Sequence, residues 1–324
     1  MKFEVSPIIF KSKVIEAFDA NFSFPINLKT ILKPFTFVSH IDNLSLLFSC
    51  EKMEVMEHLS KYFTFESKLE NFSQIHLFLF QKCDDLSSLK RNSLFSSKKS
   101  SVSIGKNINE NTVYLIDERV YVEKDSGGSL TNIYYSNIND LGFVYPIIIK
   151  IVESIISEYF LIKGFLPIHC STGIHHETNE LYLILGESKS GKTSFIIENE
   201  TFQLIGDEYC FFREDRIVPF DLFYKSYCWG NEEFDEEFDG YKRKVNKISR
   251  TSTKYINSVD KIIFITNDNL EDLHLITDNN YKISLLMEYL SNLPGKLYLS
   301  EEKKYFPLVV STTKEFMKIP VYVK

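Results

Sequence analysis

The chain has 324 residues, of which 44% are hydrophobic and 25% are charged, as is usual for a soluble globular protein. This length allows one large domain or two ordinary ones, each with a substantial core. The net charge of −7 and the isoelectric point near 5.6 argue against a nucleic-acid-binding protein, which usually presents a basic surface.

Cysteine usage and hydropathy restrict the compartment in which the protein works. The five cysteines are widely spaced and never form a Cys-x-x-Cys pair, which disfavours a zinc site or a disulfide framework. No basic segment followed by an apolar one opens the chain, so no signal peptide is expected. The longest apolar stretch, residues 143–166, is interrupted by four charged residues and therefore predicts a core helix. The sequence predicts a soluble, cytoplasmic protein without a membrane partner.

The N-terminal part alternates short apolar segments with turn residues, which is typical of strands. The predicted strands cover residues 22–26, 35–38, 44–49 and 75–80, and a helix is predicted over residues 54–62. Residues 84–112 are rich in Ser, Lys and Asn with few apolar positions, which predicts a flexible loop. Residues 113–116 and 119–122 then predict a hairpin, followed by a turn at Gly127-Gly128.

A helical pattern begins near residue 137, where apolar residues such as Phe143, Ile147 and Ile151 recur at helical intervals. We place a domain boundary at about residue 140. A smaller α+β domain would then span residues 1–140, and an α/β domain would span residues 141–324.

A phosphate-binding motif of the Walker A type lies in the second domain, where residues 181–194 read LYLILGESKSGKTS. Residues 182–185 predict a buried strand, and residues 193–197 predict the first turns of a helix. Such a loop directs backbone N–H groups and a helix N-terminus towards one point, which suits a phosphate chain. The expected nucleotide-binding residues are Gly186, Glu187, Ser188, Lys189, Ser190, Gly191, Lys192, Thr193 and Ser194.

Two side chains of this loop have a chemistry of their own. Lys192 is expected to reach the terminal phosphates, and the Thr193 hydroxyl is expected to hold Mg²⁺. Lys189 occupies a position that is often small, so its charge either adds a phosphate contact or faces solvent.

A pair of carboxylates, Asp207-Glu208, ends a predicted strand that begins at Phe202. The pair follows Lys192 by only about fifteen residues, with one short helix and one strand between them. If this strand and the strand before the loop are neighbours, as in a β-α-β unit, the carboxylates lie near the loop. The alternative is that the pair simply begins a turn.

The remainder of the chain predicts a strand at residues 259–266, a helix at residues 283–290 and strands at residues 306–311 and 319–323. Residues 231–247 are first acidic and then basic, as in a solvated loop. The other interpretation is a lid or peptide-docking loop whose Arg243, Lys244 or Arg250 reaches phosphate during transfer. Trp229 either stacks on adenine or anchors the fold.

Together, His169, the loop from Gly186 to Thr193 and the pair Asp207-Glu208 resemble the HPr kinase/phosphorylase family. The likeness is closer to the HPr-kinase-like relatives in peptide-modification gene clusters, which include lasso-peptide precursor kinases. In that family a histidine precedes the loop strand, and a strand after a short helix ends in an Asp-Asp pair. The resemblance covers roughly residues 160–220 and implies an HPr-kinase/PEP-carboxykinase-like nucleotide domain.

The resemblance also implies roles for individual residues. Asp207 would be the base that orients or deprotonates an acceptor hydroxyl, and His169 would lie near the γ-phosphate. Glu208, which stands where the family has Asp, would support the metal or the hydroxyl. Lys192 completes the catalytic set, and the expected metal ligands are Thr193, Asp207 and Glu208. A lone histidine after an apolar run is otherwise usually a packing residue.

The implied activity is an ATP- and Mg²⁺-dependent kinase acting on a Ser or Thr hydroxyl of a peptide or small protein, such as a ribosomally made precursor. The family's glycine-rich signature after the acidic pair is missing, which disfavours phosphorylase activity and HPr as the acceptor. Two alternatives stay open: a kinase for a small-metabolite hydroxyl, and a nucleotide-binding regulatory protein without transfer activity. Family relatives include homo-oligomers, although the sequence has no interface signature.

Overall fold

The computed structural model describes residue 33 and residues 35–41, 44–63, 74–99, 102–125, 129–187, 189–214, 216–220, 223–228, 232–238, 241–248, 258–266, 272–291 and 305–324. Over these residues the protein is a mixed α/β structure with four β-sheets. The chain divides into two compact units, residues 1–149 and 150–324. This division falls inside a long helix, α3 (Ile138–Ile162), whereas the sequence analysis placed a boundary at about residue 140.

The first unit contains one eight-stranded sheet. Its strands are β1 (Phe35–Ile41), β2 (Leu44–Cys50), β3 (Gln74–Lys82), β4 (Ser93–Lys99), β5 (Val102–Asn107), β6 (Thr112–Ile116), β7 (Val120–Lys124) and β8 (Leu130–Tyr135). Their spatial order is β1-β2-β3-β8-β7-β6-β5-β4, in which β3 is parallel to both of its neighbours. Two short helices, α1 (Met53–Leu59) and α2 (Leu86–Arg91), accompany this sheet.

Most elements predicted for this unit are confirmed. The strands expected at residues 35–38, 44–49 and 75–80 are β1, β2 and β3, and the expected helix is α1. The predicted hairpin is formed by β6 and β7. The strand predicted at residues 22–26 and the turn at Gly127-Gly128 lie outside the described residues.

The flexible loop predicted at residues 84–112 is wrong, because this segment forms α2, β4 and β5. Strand β4 lies at the edge of the sheet, and its Leu94 is 84% exposed. Edge strands favour polar residues, and lysine especially, because such residues discourage pairing with other chains. The Ser- and Lys-rich composition therefore marks an exposed sheet edge and not a loop.

The second unit contains one six-stranded sheet and two three-stranded sheets. The strands are β9 (Leu166–Ile168), β10 (Ser171–His175), β11 (Leu181–Gly186), β12 (Phe202–Gly206), β13 (Cys210–Arg213), β14 (Arg216–Pro219), β15 (Phe223–Tyr227), β16 (Glu236–Phe238), β17 (Tyr241–Lys247), β18 (Lys261–Ile265), β19 (His274–Leu275) and β20 (Val321–Val323). The larger sheet has the order β12-β10-β11-β18-β20-β19, and the smaller ones have the orders β14-β13-β9 and β15-β17-β16.

The core of this unit lies on both faces of the parallel strands β11, β18 and β20. Because successive strand residues point to opposite faces, Leu183 and Ile184 of β11 belong to different apolar clusters. The Leu183 cluster includes residues of α5 (Asn279–Ser291) and α6 (Phe306–Phe316). The Ile184 cluster includes Ile196 of the short helix α4 (Lys192–Ile197), which follows the loop.

The strand predicted at residues 306–311 is wrong, because these residues begin helix α6. The apolar run there can be read as a strand, yet the buried residues Val309, Thr312, Thr313 and Phe316 are spaced by three and four, which gives one helix face. Pro307 at the start of the helix is also compatible with helical geometry. The predictions of a helix at residues 283–290 and of strands at 259–266 and 319–323 are confirmed.

Helix α3 has 25 residues and confirms the helical pattern predicted from residue 137. It carries Pro146 in its interior and buries Glu153 almost completely.

Within the described ranges, no helix combines the length and the apolar content that a membrane span requires. All five cysteines are free.

Candidate functional site

The candidate site lies where two neighbouring chain segments pass from one sheet to another. Strand β9 pairs with β13 in one sheet, and β10 pairs with β12 in the next. The connections between these strands are His169-Cys170 and Asp207-Glu208-Tyr209. They lie side by side, because His169 Nδ1 is 2.8 Å from the Glu208 carbonyl oxygen. The histidine and the carboxylate pair are therefore brought to one place by backbone pairing.

The phosphate-binding loop connects β11 to α4 and uses left-handed backbone conformations. Gly186 has φ 148°, Lys189 has φ 72° and Gly191 has φ 88°. Lys189 and Glu187 are exposed, as are Gly191 and Ser194, whereas Ser190 is half-buried.

Glycine is needed at position 191 for its backbone conformation alone, and at position 186 also because another backbone atom lies close. A Cβ atom at Gly186 would lie 2.6 Å from the Ile265 carbonyl oxygen, whereas one at Gly191 would meet no atom within 4 Å. We expect Gly191→Ala to lower the free energy of unfolding by about 1–2 kcal/mol, the usual cost of a left-handed residue with a side chain. Gly186→Ala should be clearly more damaging, because a backbone atom must also move. Urea unfolding of both variants measures the difference.

Gly164→Ala is the matched control for this comparison, because Gly164 has φ 80° and lies outside the loop. It should resemble Gly191→Ala. Equal losses of stability for all three variants would contradict the close approach at Gly186.

Lys192 is the buried cation of the loop, with 7% of its surface exposed. Its Nζ donates to the carbonyl oxygens of Gly186 at 3.0 Å and Glu187 at 2.7 Å. Burial lowers the pKa of Lys192, and the negative charges of Asp207 and Glu208 oppose that shift. The ammonium group is therefore held inside the loop by backbone carbonyls.

Tyr289 of α5 ties the loop to the first of the two connections. Its hydroxyl contacts the carbonyl oxygens of both His169 and Gly186, the latter at 2.9 Å. The hydroxyl has one proton, which these two carbonyl oxygens share, and the Gly186 oxygen also accepts from Lys192. Nothing in the sequence around Tyr289 indicates this contact.

Three oxygen atoms meet at the base of the loop. Thr193 Oγ1 donates to Asp207 Oδ1 at 2.8 Å, and Ser171 Oγ donates to the same oxygen at 2.5 Å. The two hydroxyl oxygens are 3.2 Å apart. The structure therefore brings Thr193 and Asp207, both expected from the sequence, into direct contact and adds Ser171, which the sequence analysis missed.

Asp207 is 5% exposed, and its burial together with the charge of Glu208 raises the pKa of its carboxyl group to about 6. The hydrogen bonds from Ser171 and Thr193 oppose this rise. A carboxylate with such a pKa is suited to accept a proton near neutral pH.

Glu208 faces a different environment although it is the next residue. It adopts φ 65°, and its Oε1 lies 3.9 Å from Lys225 Nζ. Burial alone would raise the pKa of Glu208, but the charges of Lys225 and Lys150 lower it to about 2. Two adjacent carboxylates with opposite pKa shifts are typical of sites that divide roles between acidic groups.

Lys225 of β15 connects Glu208 to a second buried carboxylate. The lysine side chain is 4% exposed, and its Nζ lies 4.0 Å from Oε1 of Glu153, whose side chain is 1% exposed. Tyr209 also donates to Glu153 Oε2 at 3.2 Å. A glutamate inside an apolar helix is a sequence signal of a buried charge, whereas Lys225 has no such signal.

His169 is neutral at physiological pH. Burial and the nearby charge of Lys192 lower the pKa of its imidazole to about 4. A carbonyl oxygen can only accept, so the proton is on His169 Nδ1, which donates to Glu208. His169 therefore holds the backbone of Glu208 and leaves Nε2 as an acceptor.

The expected β-α-β neighbourhood is wrong, because β10 lies between β11 and β12 and is antiparallel to both. The carboxylate still reaches the loop because β12 ends at Gly206, which pairs with Thr172, the residue after Ser171 in β10. A Cβ atom at Gly206 would lie 2.5 Å from Thr172 Oγ1, so glycine is needed for this close pairing.

The interpretation of residues 231–247 as a loop is wrong for most of the segment, because its described part contains the strands β16 and β17, which pair with each other. Lys244 is exposed, and the half-buried Arg243 is one of the positive charges that lower the pKa of Glu208. Ser188, Trp229 and Arg250 lie outside the described residues, so their expected roles stay predictions.

No three His, Cys, Asp or Glu residues in the described ranges are grouped closely enough to hold a metal ion by themselves. The oxygens of Thr193, Asp207 and Ser171 nevertheless form the hard donor set that Mg²⁺ prefers, and Mg²⁺ commonly uses one or two carboxylates plus substrate phosphates. Glu208 was also expected to be a metal ligand. Its carboxylate instead lies 3.9 Å from the buried Lys225 Nζ.

Comparison of the sequence with known proteins adds no assignment: no protein-family model matches the chain, and no curated protein matches it.

Proposed function

We propose that this chain is an ATP- and Mg²⁺-dependent kinase with an HPr-kinase-like P-loop domain, acting in the cytoplasm. The proposed reaction transfers the γ-phosphate to a Ser or Thr hydroxyl of a peptide or small protein. The observation that carries the proposal is the 2.8 Å hydrogen bond between Thr193 Oγ1 of the loop and Asp207 Oδ1 of the strand end. It joins the two groups that a phosphoryl-transfer site needs close together.

The loop and Lys192 supply the binding of the triphosphate. Left-handed residues at both ends of the loop turn its backbone, as in the anion-binding loops of nucleotide-binding proteins. Lys192 would exchange the carbonyl oxygens of Gly186 and Glu187 for phosphate oxygens. Tyr289 would continue to contact the Gly186 carbonyl oxygen.

Thr193 and Asp207 would hold Mg²⁺ when it is bound. The ion supplies neutralisation of the charge that develops on the phosphate oxygens. Ser171 orients the Asp207 carboxylate through the 2.5 Å hydrogen bond. Glu208, whose carboxylate is held near Lys225 and whose backbone is held by the His169 imidazole, contributes a fixed negative charge next to Asp207.

In the transfer step the acceptor hydroxyl oxygen forms a bond to the γ-phosphorus while the bond from that phosphorus to the β,γ-bridging oxygen breaks. The electron pair of the broken bond leaves with ADP. Asp207 takes the hydroxyl proton as the general base.

Titration calorimetry with MgATP, followed by mass spectrometry of Ser- and Thr-containing peptides incubated with enzyme and ATP, tests the proposal. We expect Lys192→Met to weaken MgATP binding at least about tenfold, because hydrogen bonds between charged partners contribute about 1.5–3 kcal/mol. Lys314→Met, at an exposed position of α6, should bind like wild type.

Three results of this experiment would count against the proposal in different ways. If Lys192→Met bound MgATP with wild-type affinity, the loop would be excluded as the nucleotide-binding site. Phosphorylation of a small hydroxyl compound but of no peptide would identify a metabolite kinase. Tight binding without ADP formation with any acceptor would identify a regulatory protein.

A further inference from the structure

An open cleft continues from the phosphate-binding loop along one face of the six-stranded sheet. The part nearest the loop has a volume of about 440 Å³ and includes Gly191 and Ser194 in its lining. A neighbouring cavity of about 400 Å³ shares Phe195, Asn199 and Lys324 with it. Volumes of this size are typical of small-molecule sites.

The cleft lies at the edge of the sheet that usually binds ligands. Thr266 follows β18 and Lys324 follows β20, and both strands run parallel to β11, which leads into the loop. In open α/β sheets, ligands bind outside the carboxyl ends of the parallel strands. A molecule whose phosphates occupied the loop would therefore extend into this cleft.

One wall of the cleft offers an aromatic ring. Phe195 of α4 is half-buried and lines both cavities, and Lys324 Nζ lies 5.1 Å from the centroid of its ring. Every nucleobase has a π-face that stacks on aromatic side chains. An ammonium group beside such a ring adds a favourable electrostatic contact with π-systems.

Asn199, two residues after the end of α4, adds a polar side chain to the lining of both cavities. Its Oδ1 accepts from the Thr201 backbone N–H at 3.1 Å and from the Thr201 hydroxyl at 2.7 Å. Over the part of the chain that the structure describes, its side-chain nitrogen donates to no protein group. The amide N–H groups can therefore donate to a ring nitrogen or carbonyl of a base.

We propose that this cleft binds the nucleoside of the nucleotide donor, with the base stacked on Phe195 and contacted by Asn199. The inference rests on the proposed function, because the loop must bind the triphosphate. On this proposal, Phe195 is the residue that gives a nucleotide a higher affinity than a polyphosphate without a nucleoside. No pattern in the sequence distinguishes Phe195 from an ordinary apolar residue of an amphipathic helix.

Calorimetry with MgATP and with magnesium tripolyphosphate on the full chain tests this proposal. Wild type should bind MgATP more tightly than tripolyphosphate. Phe195→Ala should weaken MgATP binding about tenfold, in line with the loss of one base-stacking contact, and leave tripolyphosphate binding unchanged. Ile197→Ala, at a position 47% exposed on the same helix, should change neither affinity.

The outcomes separate the inference from the proposed function. If neither ligand binds, the proposed function fails. If MgATP binds and Phe195→Ala binds it like wild type, the nucleoside cleft is refuted while the phosphate site stands. A Phe195→Ala variant that raises only the KM for a peptide acceptor would also refute it, because the cleft would then hold the acceptor.

Photolabelling of the wild-type chain with 8-azido-ATP provides a second measurement that does not depend on the stability of a variant. The label is expected on peptides covering residues 194–199 or residues 265 and 266. Labelling that is confined to other segments would overturn the assignment.

Discussion

Replacing Asp207 with asparagine is expected to reduce phosphoryl transfer by about two to four orders of magnitude, the usual contribution of a general base. The amide keeps an oxygen that can accept from Thr193 and Ser171, so the local geometry should persist. Because burial raises the pKa of Asp207, its ionised form is disfavoured in the folded protein. The neutral amide should therefore raise the free energy of unfolding, on the order of 1 kcal/mol at pH 7.

Initial rates with radiolabelled ATP and thermal melting of the same preparation measure the two effects. Magnesium dependence gives a further readout, since MgATP should lose its advantage over ATP in EDTA when Asp207 no longer carries a charge. Asp260→Asn is the control, because Asp260 is exposed and accepts from Leu181 at the opposite end of β11. A wild-type rate for Asp207→Asn would exclude Asp207 as the base.

Replacing Lys225 with methionine is expected to lower the free energy of unfolding by about 3–5 kcal/mol, as when one partner of a buried ion pair is removed. The lysine lies 4.0 Å from the Glu153 carboxylate and 3.9 Å from that of Glu208, and its side chain is 4% exposed. Methionine fills a similar volume, so the loss comes from charge and not from packing.

The loss should depend on pH in a definite direction. Burial raises the pKa of Glu153 above its ordinary 4.5, and Lys225 opposes that rise. Without Lys225 the folded-state pKa rises further, so the folded protein holds a proton that the unfolded chain releases. Stability is then retained below pH 4.5 and falls as the pH increases above it. Urea unfolding at several pH values from 4 to 8 measures this slope.

Two further variants test the interpretation of the Lys225 effect. Lys261→Met removes the lysine of a partly exposed pair with Glu180 and should lower the free energy of unfolding by less than about 1 kcal/mol. The double change Lys225→Met and Glu153→Gln should recover part of the stability. A loss for Lys225→Met that is as small as the control, or that does not vary with pH, would show that the pair is not a buried charge network.

Strands and helices with a clear period could be predicted from the sequence, and those whose residues fit two periods could not. Strand β11 is apolar from Leu181 to Leu185 and ends in Gly186, so the sequence predicts it clearly. Residues 306–311 fit a strand locally, and their helical period becomes visible only when Thr312, Thr313 and Phe316 are included. Strand β4 could not be predicted because it lies at an exposed sheet edge, where polar residues are favoured and the alternating apolar pattern of a strand is lost.

The candidate site was predictable where the motif itself fixes the chemistry. The contact of Thr193 with Asp207 agrees with the expected proximity, although the sheet order that was supposed to cause it is different. The direction of Glu208 depends on a left-handed φ of 65°, which glutamate rarely adopts and which no residue type in the segment indicates. Ser171 and Lys225 come from strands whose pairing partners cannot be read from local sequence.

Tyr289 makes the shape of the loop depend on a segment that is synthesised much later. The tyrosine is 103 residues from Gly186 and 120 residues from His169 in the sequence. On the ribosome, the loop and the strands around Asp207 emerge well before helix α5, so their final geometry must wait for a long-range contact. Local opening of α5 in the finished protein should likewise release the Gly186 carbonyl oxygen from Tyr289, which links the mobility of a distant helix to the conformation of the loop.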